Sequence, residues 1–139
     1  MISQNLVNQL IEDEAEMLFP YEDSVGKISI GIGHNLDDNG ITKEISRALF
    51  DNDIKNTYND LLRAFPWFEK LSIIRASVML NMCFNMGLQR FSSFKKTLNF
   101  IEYGQYEEAA IEMLDSKWAI QVGNRAVRLS EQMRSNKWQ

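Results

Sequence analysis

The amino-acid sequence predicts an α+β fold: a small β-hairpin lobe and a larger helical lobe joined by a long helix. Three observations carry this. Residues 27–33, KISIGIG, alternate with period two behind a turn-rich segment, as a short hairpin strand does. Residues 42–63 repeat apolar side chains at helical spacing. A helix of that length extends about 30 Å, enough to connect two lobes. From residue 72 onward the chain reads as helix throughout. One domain of 139 residues is therefore expected, with the small lobe at about 14–42 and the connecting helix at about 42–63. The helical lobe takes 64–139 together with an N-terminal helix, 1–13.

Each element follows from local signals. Ser3 caps the first helix, whose apolar face is Leu6, Val7, Leu10 and Ile11. It should end between Glu14 and Met17, because Pro20 cannot continue it. Glu12, Asp13, Glu14 and Glu16 crowd that end, where the helix dipole disfavours negative charge. Stability alone does not ask for acids there, so a functional use of at least one is expected. Tyr21 to Gly26 holds a turn. In the strand behind it Ile28, Ile30 and Ile32 face one side and Ser29, Gly31 and Gly33 the other. The Ser29 side is small enough to admit a ligand close to the backbone. Gly31-Ile32-Gly33 is not a dinucleotide fingerprint, lacking the third glycine and a surrounding βαβ unit. Residues 35–40, NLDDNG, read as a loop.

Thr42 caps the long helix, with Ile45, Leu49, Ile54, Tyr58, Leu61 and Leu62 on its buried face, and Pro66 closes it. Residues 72–86 are apolar nearly all round, as in a buried central helix, and Gly87 stops them. Ser92 or Ser93 opens a helix over 94–102 that ends at Gly104. Another helix follows at 106–115, then a brief turn through Trp118. Gly123-Asn124 caps a last helix, 125–135, bearing Arg125, Arg128 and Arg134.

Composition bounds the function. Hydrophobic residues make up 45%, enough for a sizeable core. Cys83 is the only cysteine and His34 the only histidine, so neither an internal disulfide nor a zinc site of the usual type is expected. The first residues have no basic n-region or continuous apolar stretch, which argues against a signal peptide, and no run is long enough to span a bilayer. Net charge is −4, split unevenly: residues 1–63 carry 5 basic and 12 acidic side chains, residues 64–139 carry 10 and 7. An acidic first part and a mildly basic second part suit an anionic polymer gripped from one side. Nucleic acid is a poor partner, since only Lys95-Lys96 puts two bases together and no recognition motif is present.

The residues with chemistry are Glu14, Asp23 and Ser29. A carboxyl at the mouth of a cleft can be kept protonated by apolar neighbours, here Met17, Leu18 and Phe84, and donate its proton to a glycosidic oxygen. An ionised partner activates water or stabilises an oxocarbenium ion.

The order Glu14, eight residues, Asp23, five residues, Ser29, then Gly31-Ile32-Gly33-His34, closely resembles phage-type lysozymes, the muramidases of glycoside hydrolase family 24 typified by the T-even phage enzyme. The likeness covers nearly the whole chain. Thr42-Lys43-Glu44 through Leu49-Phe50 resembles the start of that family's interlobe helix. Asn81 to Gly87, NMCFNMG, resembles its central-helix motif. Ala109-Ala110, Trp118 and Asn124-Arg125-Ala126 are similar to its C-terminal helices.

The resemblance implies a lysozyme-like fold and hydrolysis of the β-1,4 bond between N-acetylmuramic acid and N-acetylglucosamine in peptidoglycan, with inversion. Glu14 would be the general acid, and Asp23 with Ser29 would position and activate water. Arg125 would approach Glu14, and His34 would pair with Asp53. Phe84, Asn85 and Thr97 would line the sugar-binding cleft, with Asn35 and Glu112 at cleft positions where the residue differs from the type enzyme. No cofactor or metal is implied. The expected protein is a monomer that binds bacterial peptidoglycan without inserting in a membrane. It would sit in the host cytoplasm before release and depend on a holin-like pore or a delivery machine to reach the wall.

The sequence departs from the family pattern at several points. Ser29 stands where Thr is usual; its hydroxyl can hold a water but is less stiff without the β-methyl. Ala15 stands where Gly is typical, crowding the turn. The loop after His34 is much shorter, and the overall charge is acidic where phage lysozymes are often basic. Two other classes remain open at this stage. A non-catalytic wall-binding or phage structural module would keep the fold and lose activity. An all-helical interaction protein would not need the alternation of residues 28–32.

Overall fold

The computed structural model describes all 139 residues. The architecture is α+β: a three-stranded antiparallel sheet near the N-terminus, then a mostly helical region. The chain divides into two compact units, Met1–Leu49 and Phe50–Gln139.

The first unit opens with helix α1, Gln4–Glu14, capped as expected by the Ser3 side chain, which accepts from the Leu6 amide. Strands β1 (Met17–Glu22), β2 (Ile28–Gly31) and β3 (His34–Asn35) follow in spatial order. In the register of β1 and β2, Met17 opposes Gly31 and Tyr21 opposes Ser29, with an irregularity between Met17 and Tyr21. The sequence predicts only the hairpin; β3 is added because Gly33 takes a left-handed φ of 68° and returns the chain onto β2 at once.

The expected loop at 35–40 is instead a short helix, α2, Leu36–Asn39. Asn35 caps it: its Oδ1 accepts from the Asp38 amide at 3.0 Å and its Nδ2 donates to Asp38 Oδ2 at 2.9 Å. Asp37 and Asp38 thus occupy a first helical turn, where the dipole favours acids. Asp37 also accepts from the Ile28 amide at 2.8 Å, fastening α2 to the start of β2. Acid-rich NLDDNG looks like a loop because cap and helix fall within six residues.

Helix α3, Lys43–Ala64, starts where Thr42 Oγ1 accepts from the Ile45 amide at 3.3 Å. Its expected buried face needs correcting. Leu61 alone is buried, Ile54 and Leu62 are half-buried, and Ile45, Leu49 and Tyr58 are exposed. Only the last turns reach the apolar core.

A 3₁₀ turn, Pro66–Lys70, leads to α4, Ile73–Met86, capped by Ser72 and stopped at Gly87. This helix is not buried all round. Val78, Met79, Met82 and Cys83 form its inner face, while Ile73 and Phe84 are exposed. A short helix α5, Leu88–Ser92, is absent from the sequence-based expectation; Gly87, at φ 82°, starts it as it ends α4. Helix α6, Lys95–Glu102, has no side-chain cap. Ser93, one of the two expected caps, instead donates its hydroxyl to the Arg90 carbonyl. Then come α7 (Tyr106–Leu114), α8 (Lys117–Val122, capped by Ser116) and α9 (Asn124–Ser135).

The core lies entirely in the second unit, built around Leu61, Phe68, Met79, Met82, Phe91, Met113, Trp118 and Met133. Arg75 ties α4 to α9, donating to the carbonyls of Met133 at 2.7 Å and Arg134 at 3.0 Å, and its guanidinium sits 3.6 Å above the Tyr106 ring. A cation at those last carbonyls is also where the α9 dipole is satisfied.

Candidate active site

The candidate catalytic residues all lie in the first unit. Glu14 is the last residue of α1, and Ala15 ends the helix at φ 58°, ψ 156°. That region of backbone space is nearly reserved for glycine. The break presents Glu14 at the helix terminus and sends the chain into β1. The Glu14 side chain lies against Gly33 in the β2–β3 turn. Met17 and Leu18, the apolar residues expected to shield it, are themselves exposed, Leu18 to 76%. They open an edge strand that pairs on one side only, irregularly over its first half.

Asp23 anchors the hairpin turn. Its Oδ1 accepts from the amides of Val25 at 3.0 Å and Lys27 at 2.8 Å, and its own amide donates to the Lys27 carbonyl at 2.8 Å. One oxygen is committed to the backbone and the other is left to solvent, so the carboxylate is oriented and still able to accept a proton.

Ser29 lies opposite Tyr21, two residues before Asp23, and is 4% exposed. The buried side of β2 is therefore the serine side, while Ile28 and Ile32 are exposed, the reverse of what apolar alternation suggests. The Ser29 hydroxyl makes no internal side-chain hydrogen bond, yet it is not a buried unpaired group, so it keeps a solvent-facing edge. Asn35 is occupied in capping α2. His34 Nε2 lies 2.5 Å from the Gly40 carbonyl oxygen, which makes that nitrogen the donor.

The remaining candidates are in the second unit. Arg125 points its Nε and a terminal nitrogen at Asn81 Oδ1, at 2.9 and 2.7 Å. Phe84 is 39% exposed and packs against Phe50, ring centroids 5.7 Å apart. Asn85 is committed, its Oδ1 accepting from Trp118 Nε1 at 2.9 Å. Thr97 is buried, yet it joins Glu112, Lys95, Lys96 and Asp115 in the wall of an open pocket of about 380 Å³. Asp53, Asp60, Phe84 and Cys83 line another, of about 330 Å³. Burial, with the Asp60 charge added, pushes the Cys83 thiol up to about 11. It stays neutral at ordinary pH and is no nucleophile. No group of three or more His, Cys, Asp or Glu side chains is arranged to hold a metal ion, and no helix is long and apolar enough to cross a membrane.

Sequence reasoning overlooked Gly33 as a neighbour of Glu14, Asn81 as the partner of Arg125, and Trp118 as the partner of Asn85. The contact of Gly33 with Glu14 joins residues nineteen positions apart and leaves no local trace. The other two pairings are also long-range and leave none.

An α+β chain that sets carboxylates beside a small sheet is compatible with glycoside hydrolysis. The phage lysozyme family model matches residues 12–135, and the chain belongs to that family. Probable T4-type lysozymes 2 and 1 of Dictyostelium discoideum are each 30% identical to it, covering 90% of this chain and 91% of theirs. The pre-baseplate central spike protein Gp5 of Enterobacteria phage T4 is 24% identical over 92% of this chain and 27% of its own length. The chain is a lysozyme-type glycoside hydrolase whose substrate is peptidoglycan.

Proposed function

We propose that the chain cleaves the β-1,4 bond between N-acetylmuramic acid and N-acetylglucosamine with inversion, Glu14 acting as general acid and Asp23 as the base that activates water. The observation that carries this is Asp23 itself: two backbone amides fix one carboxylate oxygen and leave the other to solvent. A fixed carboxylate, two residues beyond the strand partner of Ser29, suits the orientation of a single water. Inversion asks for the two carboxyls to stand roughly 6.5–9.5 Å apart, with water between the base and the sugar.

In the proposed reaction Glu14 gives its proton to the leaving oxygen as the glycosidic bond breaks. Asp23 takes a proton from water as the water oxygen bonds to the anomeric carbon from the opposite face. The proton is then returned to Glu14 through solvent. Ser29 holds the water, and Phe84 and Thr97 contribute to sugar binding. The protein would be made in the cytoplasm and reach the wall through a pore-forming partner or a delivery machine.

The test is turbidity loss of purified cell walls. Glu14→Gln should lower the clearing rate by at least about 10²-fold, the scale of a lost general acid, with unchanged thermal stability. Clearing by Glu14→Gln at the wild-type rate would remove Glu14 from the mechanism. Absence of clearing by the wild type would favour a wall-binding module.

A further inference from the structure

We propose that Gly33 is a positioning residue for Glu14, and that the side chain missing at this turn is the slot in which the acid's carboxyl is held. The inference rests on the reading of Glu14 as the general acid.

A Cβ added at Gly33 would stand 2.7 Å from Glu14 Oε2, 3.0 Å from Cδ and 3.3 Å from Cγ. These are the reacting end of the side chain and the two carbons that aim it. Real Cβ atoms essentially never approach a neighbour to 2.7 Å, and what gives way is the flexible end of the Glu14 side chain, so a side chain at this position displaces the carboxyl. Gly31 shows that the need is specific. It has the same φ of 68° and lies two residues earlier in the same sheet, yet a Cβ there meets nothing within 4 Å. Backbone conformation alone explains a glycine at 31. At 33 two requirements coincide, a left-handed φ and an empty volume filled by Glu14.

The contact also solves a problem of anchoring. Glu14 ends its helix with a long, flexible side chain, and the apolar residues next to it in sequence are exposed. A general acid must hold its proton within hydrogen-bond reach of the leaving oxygen, and misplacement by about 1 Å can cost 10²-fold in rate. Backbone closing one face of the carboxyl removes rotamers that a helix end would leave open. The β2–β3 turn thus does for Glu14 what paired amides do for Asp23.

The test separates crowding from backbone strain. Gly33→Ala should lower kcat for wall hydrolysis about 10²-fold with KM within threefold. Gly33→Asn adds the same Cβ but tolerates the left-handed region better, so it should fold at least as well and lose kcat equally. Gly40→Ala, at φ 58° with open space around it, pays the strain without the collision and should keep kcat. The specific readout is a double-mutant cycle with Glu14→Asp, whose carboxyl is withdrawn by one methylene. In that background Gly33→Ala should cost less than threefold. A kcat for Gly33→Asn within threefold of wild type would overturn the proposal, as would an undiminished penalty in the Glu14→Asp background. Wild-type clearing by Glu14→Gln would instead refute the underlying reading of Glu14.

Discussion

Each of the two units is stabilised internally by different means. Among residues 1–49 the only buried one is Ser29, and the candidate catalytic groups sit on a frame fixed by caps, turns and glycine dihedrals. Asp23, Asp37 and Asn35 each fasten a backbone amide, and the Lys27–Asp38 ion pair, at 3.0 Å and half exposed, adds less than about 1 kcal/mol. The second unit has a continuous apolar core crossed by aromatic rings, with buried Trp118 edge-on to half-buried Phe94 and half-buried Phe65 edge-on to buried Phe91. Where packing is thin, each polar contact fixes one atom, and position is a matter of turn chemistry. Where packing is dense, position is shared among many neighbours and stability is the quantity at stake. Substitutions should therefore separate, moving activity in the first unit and unfolding free energy in the second.

The largest expected effect is in the core. Trp118→Ala removes a fully buried indole together with the hydrogen bond from its Nε1 to the Asn85 side-chain oxygen. It should lower the unfolding free energy by about 3–5 kcal/mol, read from urea denaturation. Trp118→Phe should cost less, since it keeps most of the ring volume and loses mainly the hydrogen bond. A loss below about 1 kcal/mol for Trp118→Ala would mean that the second unit is no better packed than the first.

This contrast also decides what was legible in the sequence. Most helices of the second unit follow from periodicity and punctuation, as Gly87 and Gly123 show, because a packed core imposes its period on the chain. Helix α5 escaped, and α8 was expected only as a brief turn, because five and six residues are too few to display a period. In the first unit the Ser3 and Thr42 caps were readable, since each acts within three residues. Asn35 was not, because its helix is a single turn made of loop-forming residues. The orientation of β2 was not legible for a related reason. Alternation shows that two sides differ, but with so little burial in this unit it does not show which side is covered. The identity of Glu14, Asp23 and Ser29 as candidates came from their order and spacing; the fixing of Glu14 by Gly33 is a tertiary contact nineteen positions away and could not be read locally.

A smaller effect should distinguish the units by pH. The folded state raises the Cys83 thiol from 9.0 to about 11 through burial and the Asp60 charge, so folding favours its protonated form. The associated stability is complete below the unfolded value and is lost as pH rises from about 9 through 11. Wild type should lose about 1–2 kcal/mol across that window beyond what Cys83→Ala loses. Equal slopes for the two proteins would show that the thiol is not held neutral by the core.

The smallest effect, and the one that most sharpens the comparison, concerns Ala15. Replacing alanine by glycine ordinarily destabilises a protein by about 0.5–1 kcal/mol, because the unfolded chain gains freedom. At φ 58° and ψ 156°, however, alanine occupies a region that costs roughly 1–3 kcal/mol for any residue with a Cβ. The sign should therefore invert, with Ala15→Gly gaining about 1 kcal/mol, a rise in melting temperature of about 2–4 °C for a chain of this size. If the first unit opens separately, the gain should appear instead as slower amide exchange at Lys27 and Ile28, whose N–H groups bond Asp23 and Asp37. A loss of the ordinary size by both measures would mean that the helix end carries no strain. The frame presenting Glu14 would then be set by side-chain contacts, as in the second unit, rather than by its backbone.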